Sequence, residues 1–130
     1  MPSTNVRHTQ AIASRRQVVD RAEALLRSRA GEVVSIAQLC QVAGVSERSL
    51  RNAFYDVRGM SPKRWAVRAR LAEVRRALGD ANGTRGAVTT IATDYGFFEL
   101  GRFASTYRLV FGETPSATLR GGRDRMAVAS

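Results

Sequence analysis

The chain has 130 residues, 44% of them hydrophobic, with 21 Lys and Arg against 11 Asp and Glu and a formal charge of +10. That is too apolar for a disordered polyelectrolyte, and the length allows one compact domain or two small ones sharing a helix. Only Lys63 is lysine, so the charge sits almost wholly on arginine, whose planar fork suits phosphates and guanine edges; a polyanionic partner is the first expectation. No apolar run approaches the roughly 20 residues of a membrane span, and MPSTNVRHTQ holds no signal-peptide core. No membrane partner and a cytoplasmic location are therefore expected.

A lone Cys40 and a lone His8 exclude a disulfide framework, a Cys/His zinc site and a Cys-His nucleophile pair. Cys40, in SIAQLCQVAG, reads as a small core residue. The carboxylates are scattered and no Gly-rich phosphate loop is present, so neither catalysis nor a metal or cofactor is expected.

In chain order, residues 1–13 read as a flexible leader. Residues 15–29 place Val18, Val19, Ala22, Leu25 and Leu26 on one helical face, ended near Gly31. Ser35 caps a short helix over 36–43, with Ile36, Leu39, Cys40 and Ala43 inward, and Gly44 turns the chain. Ser46 caps the next helix, to about residue 58, with Leu50, Ala53, Phe54 and Val57 inward. Ser61-Pro62, a cap followed by Pro at the first helical position, opens a longer helix to about residue 78. GDANGTRG is a linker; helices over 88–95 and 99–111 and a last turn from Pro115 to about residue 119 follow. Phe54, Trp65, Tyr95, Phe97, Phe103, Tyr107 and Phe111 fall at helical spacing and are assigned to the core.

LCQVAGVSERSLRNAFYDVRGMSP is repeated in IATDYGFFELGRFASTYRLVFGETP. Each copy has an aliphatic residue five positions before a turn glycine, Gly44 or Gly96. One extra residue enters the second copy after its glycine, and the register then pairs Leu50 with Phe103, Phe54 with Tyr107, Gly59 with Gly112 and Pro62 with Pro115. Helix, Gly turn and second helix is the helix-turn-helix unit. The helix between the copies would measure roughly 25 Å, which can hold two recognition helices near the ~34 Å repeat of one duplex turn.

IAQLCQVAGVSERSLRNAF, GMSP, RLAEVRRAL, IATDYGF and FGETP together resemble the DNA-binding domain of the AraC/XylS family of bacterial transcription regulators. YGFFELGRFASTY with SLRNAF is most similar to the branch containing ethanolamine-operon regulators. The resemblance implies an all-α fold of seven helices, forming two helix-turn-helix subdomains joined by a linker helix and binding promoter duplex DNA at the nucleoid, with RNA polymerase as a further partner. The expected division is a leader over 1–13, a first subdomain over 14–60, the linker helix over 61–79, a loop over 80–86, a second subdomain over 87–120 and a flexible tail over 121–130. Full-length members commonly carry a separate effector or dimerisation domain. The chain is therefore expected to be monomeric, as the C-terminal piece of a larger regulator or as a small activator.

On the first recognition helix the outer stripe is Arg48, Arg51, Asn52 and Tyr55, and Arg to guanine and Asn to adenine are favoured bidentate pairs. The second offers Leu100, Gly101, Arg102 and Ser105, with Arg102 as its long donor, so the first unit is expected to supply most specificity. The second would add affinity, bending and contact of Leu100 with thymine methyls. Phosphate contacts are assigned to Ser35, Ser46, Lys63, Arg64, Thr89, Thr90, Thr106 and Arg108, near helix starts. Arg15, Arg16, Arg70, Arg75 and Arg76 are assigned to long-range steering. A nonspecific basic nucleic-acid-binding module is the alternative, and it explains only the charge.

Overall fold

The computed structural model describes residues 3–29, 31–81, 83 and 86–121, with side chains from residue 14 onward. Among them are seven helices and no strand: α1 (Ser3–Ser28), α2 (Ile36–Ala43), α3 (Glu47–Arg58), α4 (Pro62–Asp80), α5 (Ala87–Asp94), α6 (Leu100–Phe111) and α7, residues 115–121. The all-α, seven-helix expectation holds. The first helix is the one large difference: it begins at Ser3, inside the stretch read as a flexible leader. Between Pro2 and Ser14 only Val6 and Ile12 are large and apolar, too few to show a period. α4 also runs on through Gly79 to Asp80. The predicted tail lies outside the described residues apart from Gly121, as does part of the predicted 80–86 loop.

The chain forms two compact units, residues 1–29 with 34–67 and residues 30–33 with 68–130. The linker helix is therefore shared, its first turns belonging to one unit and the remainder to the other. In the first unit Val19 and Ala22 of α1, Leu39 and Ala43 of α2, and Leu50, Ala53 and Phe54 of α3 form one buried cluster. Trp65 packs against it with its ring 6.0 Å from that of Phe54. Burying a Leu or Phe side chain contributes ~1.5–3 kcal/mol, so this small cluster is the main cohesive force of the unit. Local signals agree with it. Ser35 closes a reciprocal cap on α2, its Oγ accepting from the Gln38 amide at 3.1 Å and its own amide donating to Gln38 Oε1 at 2.9 Å. Ser46 Oγ accepts from the Ser49 amide at 3.2 Å, and Ser61 Oγ from the Arg64 amide at 3.2 Å.

The second unit repeats the plan with aromatic filling. Leu71, Val74 and Leu78 of α4, Ala92 of α5, and Phe103 and Tyr107 of α6 are buried. Phe97, Phe103, Tyr107 and Phe111 stack in series with centroids 5.1, 5.8 and 4.7 Å apart. The Tyr107 hydroxyl lies 2.6 Å from Thr118 Oγ1 on α7, which satisfies both buried groups. Leu71 and Val74 follow Val19 and Ala22 by the same 52 residues that relate Gly44 to Gly96. The repeat thus extends one helix further than the motif comparison finds: α1 and the later turns of α4 are equivalent first helices of two three-helix units. Of the seven aromatics assigned to the core, Phe54, Phe103 and Tyr107 are fully buried, while Trp65, Tyr95, Phe97 and Phe111 are half-buried, as is Cys40.

Candidate nucleic-acid interface

α3 carries its outer stripe because its inner one is fully spent: Leu50, Ala53 and Phe54 are buried, and Arg48, Arg51, Asn52 and Tyr55 are exposed on the other side. Tyr55 is 54% exposed. Among the described residues, the only internal bond of the stripe is that of Arg51, whose Nη2 donates to Glu47 Oε1 at 3.1 Å. The helix is also held against α1 from the flanks. Arg15 pairs with Asp56, and Arg58 Nε donates to Glu23 Oε1 at 2.6 Å while its guanidinium lies 5.9 Å from the Trp65 ring. Glu23 is 8% exposed and has Arg58 as its ion-pair partner.

On α6, Leu100, Gly101, Arg102 and Ser105 are exposed. A Cβ at Gly101 would meet nothing within 4 Å, so the protein's own packing does not require glycine there. Arg102 Nε lies 3.7 Å from Glu99 Oε2. Leu109, two turns beyond Arg102 on the same stripe, is 86% exposed, and Phe98 in the preceding turn is 74% exposed. Sequence reading missed both because each follows an aromatic or basic neighbour in a run that reads as core.

Among the residues assigned to phosphate, Lys63, Arg64, Thr89, Thr90 and Arg108 are exposed and Thr106 is half-buried. Ser35 and Ser46 are exposed, but their oxygens already serve as helix caps, Ser46 also donating its hydroxyl to Ser49 Oγ at 3.2 Å. The steering assignments need correction at three positions. Arg15 is the ion-pair partner of Asp56. Arg70 is half-buried, donates to the Tyr95 carbonyl at 3.3 Å and lies 4.7 Å over the Phe97 ring, and burial lowers its pKa from the usual arginine value. Arg75 pairs with Glu113 at 3.6 Å and covers Phe111 at 4.8 Å. Arg15 is engaged by its ion pair, and Arg70 and Arg75 are engaged because an arginine can lay its apolar stem and planar head on a ring while its charge finds an acceptor. Among the described residues no group of acidic, His and Cys side chains could hold a metal ion, and no helix is long and apolar enough to cross a membrane.

Residues 39–121 match the family model described as a helix-turn-helix domain. Over 87 residues, 67% of the chain, the sequence is 44% identical to the XylDLEGF operon transcriptional activator of Pseudomonas putida, covering 27% of that protein. It is 37% identical over 95 residues to a probable thc operon regulatory protein of Rhodococcus erythropolis, covering 73% of this chain and 29% of that one. The chain thus spans about a quarter of the length of these curated relatives. Among solved structures, a probable AraC family transcriptional regulator from Rhodopseudomonas palustris superposes with a TM-score of 0.73 at 37% identity, over 82% of this chain and 97% of that one. An AraC-type regulator from Chromobacterium violaceum gives a TM-score of 0.75 at 26% identity, over 85% and 96%. These relatives do not distinguish the ethanolamine-operon branch from others. With two helix-turn-helix units, a shared linker helix and this continuous similarity, the chain belongs to the AraC/XylS family of helix-turn-helix, DNA-binding transcription regulators.

Proposed function

We propose that the first unit reads bases in a major groove through Arg48, Arg51, Asn52 and Tyr55, and that the second enters the next major-groove segment through Leu100, Gly101, Arg102 and Ser105. The observation that carries this reading is the α3 stripe: four side chains with hydrogen-bonding ends, all exposed, on a helix whose opposite face and flanks are fixed by the core and by two ion pairs to α1. Fixing a helix this way lets bidentate donors meet base edges at little further ordering cost. Lys63, Arg64, Thr89, Thr90, Thr106 and Arg108 supply phosphate contacts, with Ser35 and Ser46 acting chiefly through the helix starts they cap. The DNA is promoter DNA at the nucleoid, RNA polymerase is the further partner, and the chain acts as a monomer without catalysis.

Selection of bound sequences from a random duplex pool at two salt concentrations tests this. An asymmetric motif with two parts about one helical turn apart supports two reading units. A one-part motif removes base reading by α6. Salt-sensitive binding with no enrichment makes the chain a nonspecific basic nucleic-acid-binding module.

A further inference from the structure

We propose that Glu47 and Glu99 are specificity-determining residues, each holding the long base-reading donor of its recognition helix and penalising contact with phosphates at random. The inference rests on the DNA-binding reading above. Acidic residues are few in this chain, yet one stands at the start of each recognition helix: Glu47 is the first residue of α3 and Glu99 is the N-cap of α6. Neither carboxylate caps its helix, since Ser46 does so for α3 and the Glu99 side chain makes no cap bond. Both instead reach the arginine one turn on, Glu47 to Arg51 at 3.1 Å and Glu99 to Arg102 at 3.7 Å.

All four side chains are at least half exposed, and such pairs add little to stability. Their consequence is instead for binding. Nonspecific affinity is built from arginine and lysine on phosphates, and a carboxylate beside the arginine both neutralises it and repels the backbone. A guanine edge asks for something else, two parallel donors at O6 and N7. Arg102 faces Glu99 through Nε in an ion pair beyond hydrogen-bond distance, so both of its terminal nitrogens stay available. Arg51 gives one Nη2 hydrogen, and its Nη1 and the second Nη2 hydrogen remain. The arginine is thus aimed rather than consumed, and discrimination arises because the wrong contact is weakened more than the right one.

The test compares binding of the duplex enriched from the pool with that of a scrambled duplex of equal length, by fluorescence anisotropy at two salt concentrations. Glu47→Gln and Glu99→Gln keep the shape and remove the charge. Asp20→Asn, at an exposed carboxylate of α1, measures the effect of one charge alone. Each glutamine variant is expected to bind the scrambled duplex roughly threefold to tenfold more tightly and the enriched duplex by no more than about 1.5-fold, so that the specificity ratio falls at least about twofold. Asp20→Asn should leave the ratio unchanged. If the unaltered chain discriminates but the glutamine variants keep its ratio, or tighten both duplexes equally, the inference is overturned and the DNA-binding reading stands. If the unaltered chain does not discriminate, that reading falls and this inference with it.

Discussion

Gly44 and Gly96 occupy equivalent turns, but alanine should be tolerated differently at the two. Both are left-handed, with φ of +70° and +86°, so a side chain costs ~1–2 kcal/mol at either. A Cβ at Gly44 meets nothing within 4 Å, whereas at Gly96 it would stand 2.7 Å from Val33 Cγ2 and 2.9 Å from Arg70 Nη1. Valine has no flexible end to withdraw, and Arg70 is tied to the Tyr95 carbonyl and the Phe97 ring. Loosening a hydrogen bond from a charged donor costs ~1.5–3 kcal/mol, part of which solvent returns to a half-exposed guanidinium. Gly96→Ala should therefore cost about 2–4 kcal/mol and Gly44→Ala about 1–2 kcal/mol. At 4–8 °C per kcal/mol, the difference is a separation in Tm of roughly 5–15 °C. Urea unfolding followed by far-ultraviolet circular dichroism measures both, with the fluorescence of Trp65 reporting on the first unit alone. Combining Gly96→Ala with Arg70→Met should cost less than the sum of the two, because methionine vacates the space. A Gly96→Ala cost no larger than that of Gly44→Ala would refute the crowding argument.

Arg51→Ala and Asn52→Ala should each reduce preference for the enriched duplex by ~1–3 kcal/mol while changing binding to random DNA less; equal losses on both in anisotropy titrations would count against base reading. Lys63→Ala should weaken every duplex alike and shallow the salt slope by about one phosphate contact, read from affinities at four or more salt concentrations. Tyr107→Phe removes the bond to Thr118 while Thr118 keeps Glu113 at 3.0 Å, so a loss of ~1 kcal/mol in thermal unfolding is expected. Burial chiefly raises the Tyr107 pKa, with Glu113 adding to it against Thr118 and Arg75. Its contribution should therefore be complete below the ordinary tyrosine value of about 10 and decline as pH rises through the raised folded value. The phenylalanine variant should lack that decline.

Much of this was legible in the sequence because the signals are local. Caps at Ser35, Ser46 and Ser61, the proline at the start of α4 and the 3.6-residue apolar period depend on residues within one or two turns, and α2 and α3 fall where they place them. The outer stripe of α3 followed by subtraction, since buried and exposed faces of one short helix are complementary. By itself the sequence determined six of the seven helices to within about two residues, the duplicated unit, the family and which face of α3 is exposed. Only the tertiary structure decided which arginines are spent internally. Arg70 and Arg75 look no different along the chain from Arg48 or Arg64, yet they meet Tyr95, Phe97, Phe111 and Glu113, residues 25 or more positions away. The same holds for Arg58 with Glu23, and for the exposure of Leu109 and Phe98. A periodic pattern reports whether a residue lies on an apolar face, but the partner of a charge is chosen by the packing of distant elements, which no local window contains.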